Sequence, residues 1–134
     1  MSVTITFPTV YGGEIGIQFE PEGGTAHPHP YMVRRPELVE IIDLLAGPIR
    51  ALNIHGRVDD EMLHLITLRC PQLAALAVHG ADRQLTVAGI SLAARACTNL
   101  LLLGIFKCRC VRSSADLATV ATVADTHCYG ADNY

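Results

Sequence analysis

Histidine and cysteine carry most of the chemical potential of this chain. His55-Gly56 and His79-Gly80 stand 24 residues apart, each behind a similar apolar run: Ile49-Arg50-Ala51-Leu52-Asn53-Ile54 and Leu73-Ala74-Ala75-Leu76-Ala77-Val78. Two imidazoles placed side by side would form a recognition patch whose charge changes near neutral pH. The plainer alternative is that strand ends before glycine tolerate a polar histidine. Cys108-x-Cys110, with His127-Cys128 further on, supplies donor types that zinc accepts. A one-residue gap is shorter than the usual metal spacing, however, and adjacent His127 and Cys128 share a tetrahedral ion awkwardly. Cys70, Cys97 and Cys128 are better read as small buried apolar groups. His27-Pro28-His29-Pro30 reads as a stiff loop before it reads as a metal tract or a proline-rich ligand. Asp59-Asp60-Glu61 suits the start of a helix, where negative charge favours the dipole. The sequence has no nucleophile elbow, P-loop, dinucleotide fingerprint or HExxH. The expectation is a non-catalytic protein with no metal and no cofactor.

Composition narrows the setting. The 134 residues are 50% hydrophobic and 17% charged, which describes a packed chain rather than a disordered one. Trp is absent and aromatics are 5%, so the core must come from Leu, Ile, Val and Ala. A net charge of −3 argues against nucleic acid as the main partner. Lys107, Arg109 and Arg112 form the one dense basic stretch, which reads as a solvated loop. No run approaches the ~18 apolar residues of a membrane helix, and the amino-terminal residues do not read as a secretory signal. With five cysteines, the expected setting is reducing, cytoplasmic or nuclear.

The elements that must position these residues follow from periodicity. Residues 3–7 and 15–19 alternate as half-buried strands and predict a hairpin. Residues 20–30 predict a loop. After Pro36, the spacing of Leu38, Ile41, Ile42 and Leu45 predicts a helix that Gly47-Pro48 ends. Then a unit repeats: a strand, a polar turn, and a helix opened by a capping residue. Asp59 is the first cap candidate, with Leu63, Ile66 and Cys70 on the buried face. Thr86 is the second, with Ile90, Ala93 and Cys97 at the same offsets. A third copy starts at Leu100 and continues through Ser113, Leu117, Val120, Ala124 and Cys128 on the same pattern. One domain is expected: residues 1–48 as an amino-terminal cap, repeats at 49–72, 73–99 and 100–128, and a polar tail at 129–134. Such units stack because one repeat cannot cover its own apolar face. The carboxyl-terminal repeat is left with little to cover its edge.

Cys70-Pro71-Gln72-Leu73-Ala74-Ala75-Leu76 and Cys97-Thr98-Asn99-Leu100-Leu101-Leu102-Leu103, together with Leu85-Thr86, resemble the cysteine-containing subtype of leucine-rich repeat. That subtype is best known from the repeat halves of F-box adaptors in ubiquitin ligases. The resemblance covers residues 49–124 and implies an α/β solenoid with parallel strands. It departs at the turns, where the family's Asn or Cys is replaced by Arg57 and Ala81 and kept only at Cys108. No F-box-like segment precedes the repeats, so an adaptor role in ubiquitin transfer would need one from elsewhere. The expected activity is binding of a protein partner on the strand face, through Arg50, Asn53, His55, Ala77, His79 and Phe106. The alternative is a self-associating or complex-bound subunit docking through the uncovered third repeat, and a third class is a small metal-binding protein or enzyme.

Overall fold

Apolar residues at every second position make strands that bury one face. Val3 and Ile5, Leu52 and Ile54, Leu76 and Val78, and Leu103 and Ile105 are such pairs, and all are buried. They belong to β1 (Ser2–Thr6), β4 (Ala51–His55), β5 (Ala75–His79) and β6 (Leu102–Phe106). The remaining elements are β2 (Ile15–Glu20), β3 (Tyr31–Val33), β7 (His127–Gly130) and three helices, α1 (Arg35–Leu45), α2 (Asp60–Leu68) and α3 (Val87–Ala96). The structure is a computed structural model. It describes residues 1–8, 13–20, 30–45, 47–111, 115, 116, 118 and, for their backbone, 127–130.

The protein is α/β, with one mixed, open sheet in the order β3-β2-β1-β4-β5-β6-β7. β1 and β4 to β7 run parallel, and β2 is antiparallel to both of its neighbours. The hairpin expected from residues 3–7 and 15–19 is present, with Ser2 opposite Glu20 and Thr6 opposite Gly16. Its first strand lies on the front edge of β4 and extends the parallel ladder, with Val3 beside Leu52 and Ile5 beside Ile54. The free backbone edge of β4 needs partners, and β1 carries apolar residues in the same phase. The join is pinned at both ends: the Met1 carbonyl accepts from the Arg50 amide (2.9 Å), and the Phe7 amide donates to the His55 carbonyl (2.8 Å).

The helices lie side by side and run the same way. Arg35 pairs with Asp59 at their amino ends (2.9 Å), and Asp43 pairs with Arg69 at the opposite ends of α1 and α2. Both cap expectations hold. Asp59 accepts from the Met62 amide at 2.7 Å, and the Thr86 hydroxyl accepts from the Gly89 amide at 3.0 Å. Leu63, Ile66 and Cys70, then Ile90, Ala93 and Cys97, are all buried. In α1 the expected face is only partly buried: Leu38 and Ile42 are covered, whereas Leu45, with no further turn to hold it down, is 36% exposed.

Two strands depart from the sequence reading. β3 follows the expected loop directly and pairs with the outer edge of β2, with Ile15 opposite Val33. β7 replaces the end of the expected third helix and the start of the expected tail, placing Cys128 beside Leu103 and Tyr129 beside Gly104. An unpaired β6 edge would leave a row of backbone donors and acceptors unsatisfied, and that demand outweighs the helical spacing of Cys128. The third repeat's strand is therefore covered, and a partner docking at that end meets β7. Of the third helix, Ala115, Asp116 and Ala118 are helical. Ser113, Leu117, Val120 and Ala124, the residues after 130, and His27-Pro28-His29 lie outside the described residues.

The repeats are tied together by Asp60. Its carboxylate accepts from both the amide (2.8 Å) and the hydroxyl (2.7 Å) of Thr86, the cap of the next helix. A Cβ on Gly89 would collide with that carboxylate. Gly89→Ala should therefore destabilise the protein by about 1–3 kcal/mol through loss of these charged hydrogen bonds. In an Asp60→Ala background the same change should stabilise it by up to about 1 kcal/mol, because Ala is the better helix former. Urea unfolding of the four proteins measures both, and equal effects in the two backgrounds would contradict the account.

Candidate functional site

The side chains that alternate with the buried ladders stand on the other face of the sheet, which α1, α2 and α3 do not cover. They form three rows. Glu20, Ser2, Ala51, Ala75 and Leu102 make the first; Gln18, Thr4, Asn53, Ala77 and Gly104 make the second. Met32, Gly16, Thr6, His55, His79 and Phe106 make the third. Ala51, Asn53, His55, Ala77, His79 and Phe106 are half-buried, Gly104 is buried, and Leu102 is 43% exposed.

In the third row the rings stack. His55 and His79 have centroids 4.4 Å apart and planes 8° from parallel, and His79 and Phe106 are 4.8 Å apart at 16°. These separations match the spacing of neighbouring strands, ~4.8 Å, so pairing in register is sufficient to cause the stack. Burial, and then the positive charge that His55 would carry, push the His79 pKa below its ordinary value of 6.5.

Beyond the rings the strands turn sharply. Gly56 and Gly80 have φ of 92° and 69°, and Lys107 occupies the equivalent place in the third turn at 54°. Their geometry lets the Gly56 amide donate to the His79 carbonyl (3.0 Å) and the Gly80 amide to the Phe106 carbonyl (2.8 Å). Arg57, Arg83, Lys107 and Arg109 lie in these turns, all exposed. Asp82 stands between Arg57 (3.3 Å) and Arg109 (3.4 Å). The second contact is an ion pair and not a well-aligned hydrogen bond, because buried Asp82 Oδ1 has no hydrogen-bond partner. Arg83, Thr86, Arg109 and Cys110 help to line a shallow cleft of about 260 Å³ near the start of α3. That helix end already receives a carboxylate, from Asp60.

Among the described residues, the thiols of Cys70, Cys97, Cys108 and Cys110 are held protonated. Burial pushes Cys70 up to about 11, and burial with the neighbouring Cys70 pushes Cys97 up to about 12. Cys110 rises to about 11, through burial first and Cys108 second. Burial raises Cys108 as well, against hydrogen bonds from the Ala81, Phe106 and Gly80 backbone. Cys108 fills the turn as expected, with its Sγ 3.5 Å from the Val78 carbonyl oxygen and 3.6 Å from that of Phe106. Metal binding and nucleophilic attack both need the thiolate, which these environments disfavour. Among the described residues no helix is long and apolar enough to cross a membrane.

Of the residues expected at the site, His55, His79 and Phe106 are brought into one stack, with Asn53 and Ala77 in the adjacent row. Arg50 stands apart, exposed ahead of β4, where its carbonyl accepts from the Ala74 and Ala75 amides. Thr4 and Thr6, which continue two rows into β1, were not anticipated. Their signal was the phase of Val3-Thr4-Ile5-Thr6, which repeats that of Leu52-Asn53-Ile54-His55. The gathering of Arg57 and Arg83 with Lys107 and Arg109 was also missed. Comparison with protein-family models, curated proteins and solved structures finds no match.

Two measurements follow from this geometry. In an NMR titration, His79 should have its midpoint below 6.5, and His55→Ala should raise it part of the way back, leaving the effect of burial. Because the unfolded imidazole protonates first as pH falls, stability is full above pH 6.5 and declines through the folded His79 pKa. A His79 midpoint at or above 6.5 would contradict this. Separately, Lys107→Gly should raise stability by about 0.5–1 kcal/mol, since glycine accepts positive φ without steric strain. Urea midpoints would show it.

Proposed function

We propose that this chain is a non-catalytic protein-recognition module, a short leucine-rich-repeat-like array whose open strand face receives a protein partner. The observation that carries the reading is the stacked row His55–His79–Phe106, set in register on a sheet face that α1, α2 and α3 leave uncovered. Rings already held against each other have little freedom left to lose on contact, so association is less opposed by entropy. Ala51, Ala75 and Ala77 allow a partner's main chain to approach closely, and exposed Leu102 offers an apolar anchor beside them. The repeat-like character is supported by equivalent helix caps at Asp59 and Thr86 and by the turn bonding of Cys108. Protonated, buried thiols are poor nucleophiles, which favours binding over catalysis.

The test is affinity capture with quantitative mass spectrometry, comparing the wild-type protein with Ala77→Arg and with His55→Ala/His79→Ala. Ala77 is central and half-exposed, so arginine there should block the face while leaving the melting temperature nearly unchanged. A partner lost with Ala77→Arg and weakened by the double histidine change supports the reading. Partners retained by both variants would falsify it.

A further inference from the structure

The ring row draws its members and nearest neighbours from β1, β4, β5 and β6, and none of these side chains is acidic. His79 has His55 against one ring face, at 4.4 Å, and Phe106 against the other, at 4.8 Å. Beyond His55, β1 contributes Thr6. The adjacent row on the same strands is Thr4, Asn53, Ala77 and Gly104. Charged groups begin in the turns that follow. Arg57 and Lys107 come after the His55 and Phe106 strands, and Asp82 is held between Arg57 and Arg109. Asp60 is bonded to Thr86, and the Cys108 thiol is buried. Glu14 stands exposed ahead of β2, and Glu20 lies in the farthest row. Among the described residues, no carboxylate stands in the ring row or the row beside it.

Stacking limits the charge that this row can accept. Two protonated imidazoles held face to face repel each other. The Phe106 ring would favour a cation on His79, but burial, and then the charge of His55, outweigh it. Unprotonated, the row is an uncharged ledge beside Ala77 and Gly104. Each proton taken up as pH falls through the imidazole range adds a charge that no neighbouring carboxylate meets. Covering an imidazolium takes that charge out of water, which costs far more than covering a neutral ring. A partner that shields the row therefore binds the unprotonated form better, and by linkage proton uptake opposes binding.

We propose that the ring row is a proton-operated release: the open face holds a protein partner while His55 and His79 are neutral and loses it as they protonate. This rests on the reading of the open face as a protein-recognition surface, and it adds the condition under which that surface works. The sign of the effect is its signature. A partner that brought a carboxylate to the rings would bind more tightly in acid, because a charge-assisted hydrogen bond would form there.

The experiment begins with a phage-displayed library of random dodecapeptides selected at pH 7.5. An enriched, histidine-free peptide that fails to bind Ala77→Arg is then synthesised. Its affinity, read by isothermal titration calorimetry, should be about tenfold weaker at pH 5.5, roughly one unit below the ordinary imidazole value. Saturating peptide should also lower the NMR titration midpoints of both rings. His55→Phe/His79→Phe keeps a ring row without titratable nitrogens. Whatever its affinity at pH 7.5, that variant should hold it within about twofold at pH 5.5. Equal or tighter binding in acid, or midpoints that the peptide does not lower, would overturn the release and leave face recognition standing. A loss in acid that persists in the double variant would also refute it, since the proton would then act elsewhere. Circular dichroism at both pH values reads the fold, and unfolding of the wild type at pH 5.5 would rule out release from a folded surface. Finding no peptide that depends on Ala77 would overturn both readings.

Discussion

Everything on this molecule depends on the in-register parallel pairing of β4, β5 and β6. A slip of one residue would exchange the two faces of a strand, sending His79 into the core and Val78 outside. The register is held from the inside. Leu52, Leu76 and Leu103 form one buried ladder, and Ile54, Val78 and Ile105 form another. Burying each such side chain is worth about 1.5–3 kcal/mol, whereas an aromatic pair adds about 0.5–1.5 kcal/mol beyond its area. The core therefore sets the alignment, and the ring stack is its consequence. The same offset places Thr86 against Asp60 and brings the three turns together, so helix contacts, ring row and turn contacts share one cause.

The parts of this fold that could be read from the sequence are those governed by short-range rules. Asp59 and Thr86 announce helix starts because a cap satisfies amides two or three residues away. Leu63, Ile66 and Cys70 announce a buried face because they lie on one side of a single helix. His55 and His79 could be placed together because a repeat makes a distant contact behave as a local one. What was not legible was the pairing of strand edges. The phase of Val3-Thr4-Ile5-Thr6 tells which face of β1 is buried but does not choose β4 as its neighbour, because that choice is made by backbone groups of β4 that would otherwise stay unpaired. β3 is three residues long, too short for its alternation to register. Cys128 kept the spacing of a helix and was taken into a strand beside β6.

The candidate site divides along the same line. Its rings and small residues sit on strands and were legible as positions within the repeat. Its cations sit in turns, where no period marks them, and Arg57 and Arg83 are separated in the chain by a strand and a helix. Total charge could not reveal them either, because acidic residues stand among them: Asp82 pairs with Arg57 and Arg109, and Asp60, at the start of α2, bonds Thr86 and Gln84 beside Arg83.

The position of β1 bears on how the molecule is assembled. β1 and β2 are synthesised before α1 and β4, yet β1 lies in the interior of the sheet, with β4 and all that follows on its far side. While the chain emerges, the hairpin exposes the edge of β1 and the apolar side of Val3 and Ile5, and neither has a partner until β4 arrives. In the folded sheet β1 is thus the seam between two arrangements, with the antiparallel pair β2 and β3 on one side and the parallel strands β4 to β7 on the other.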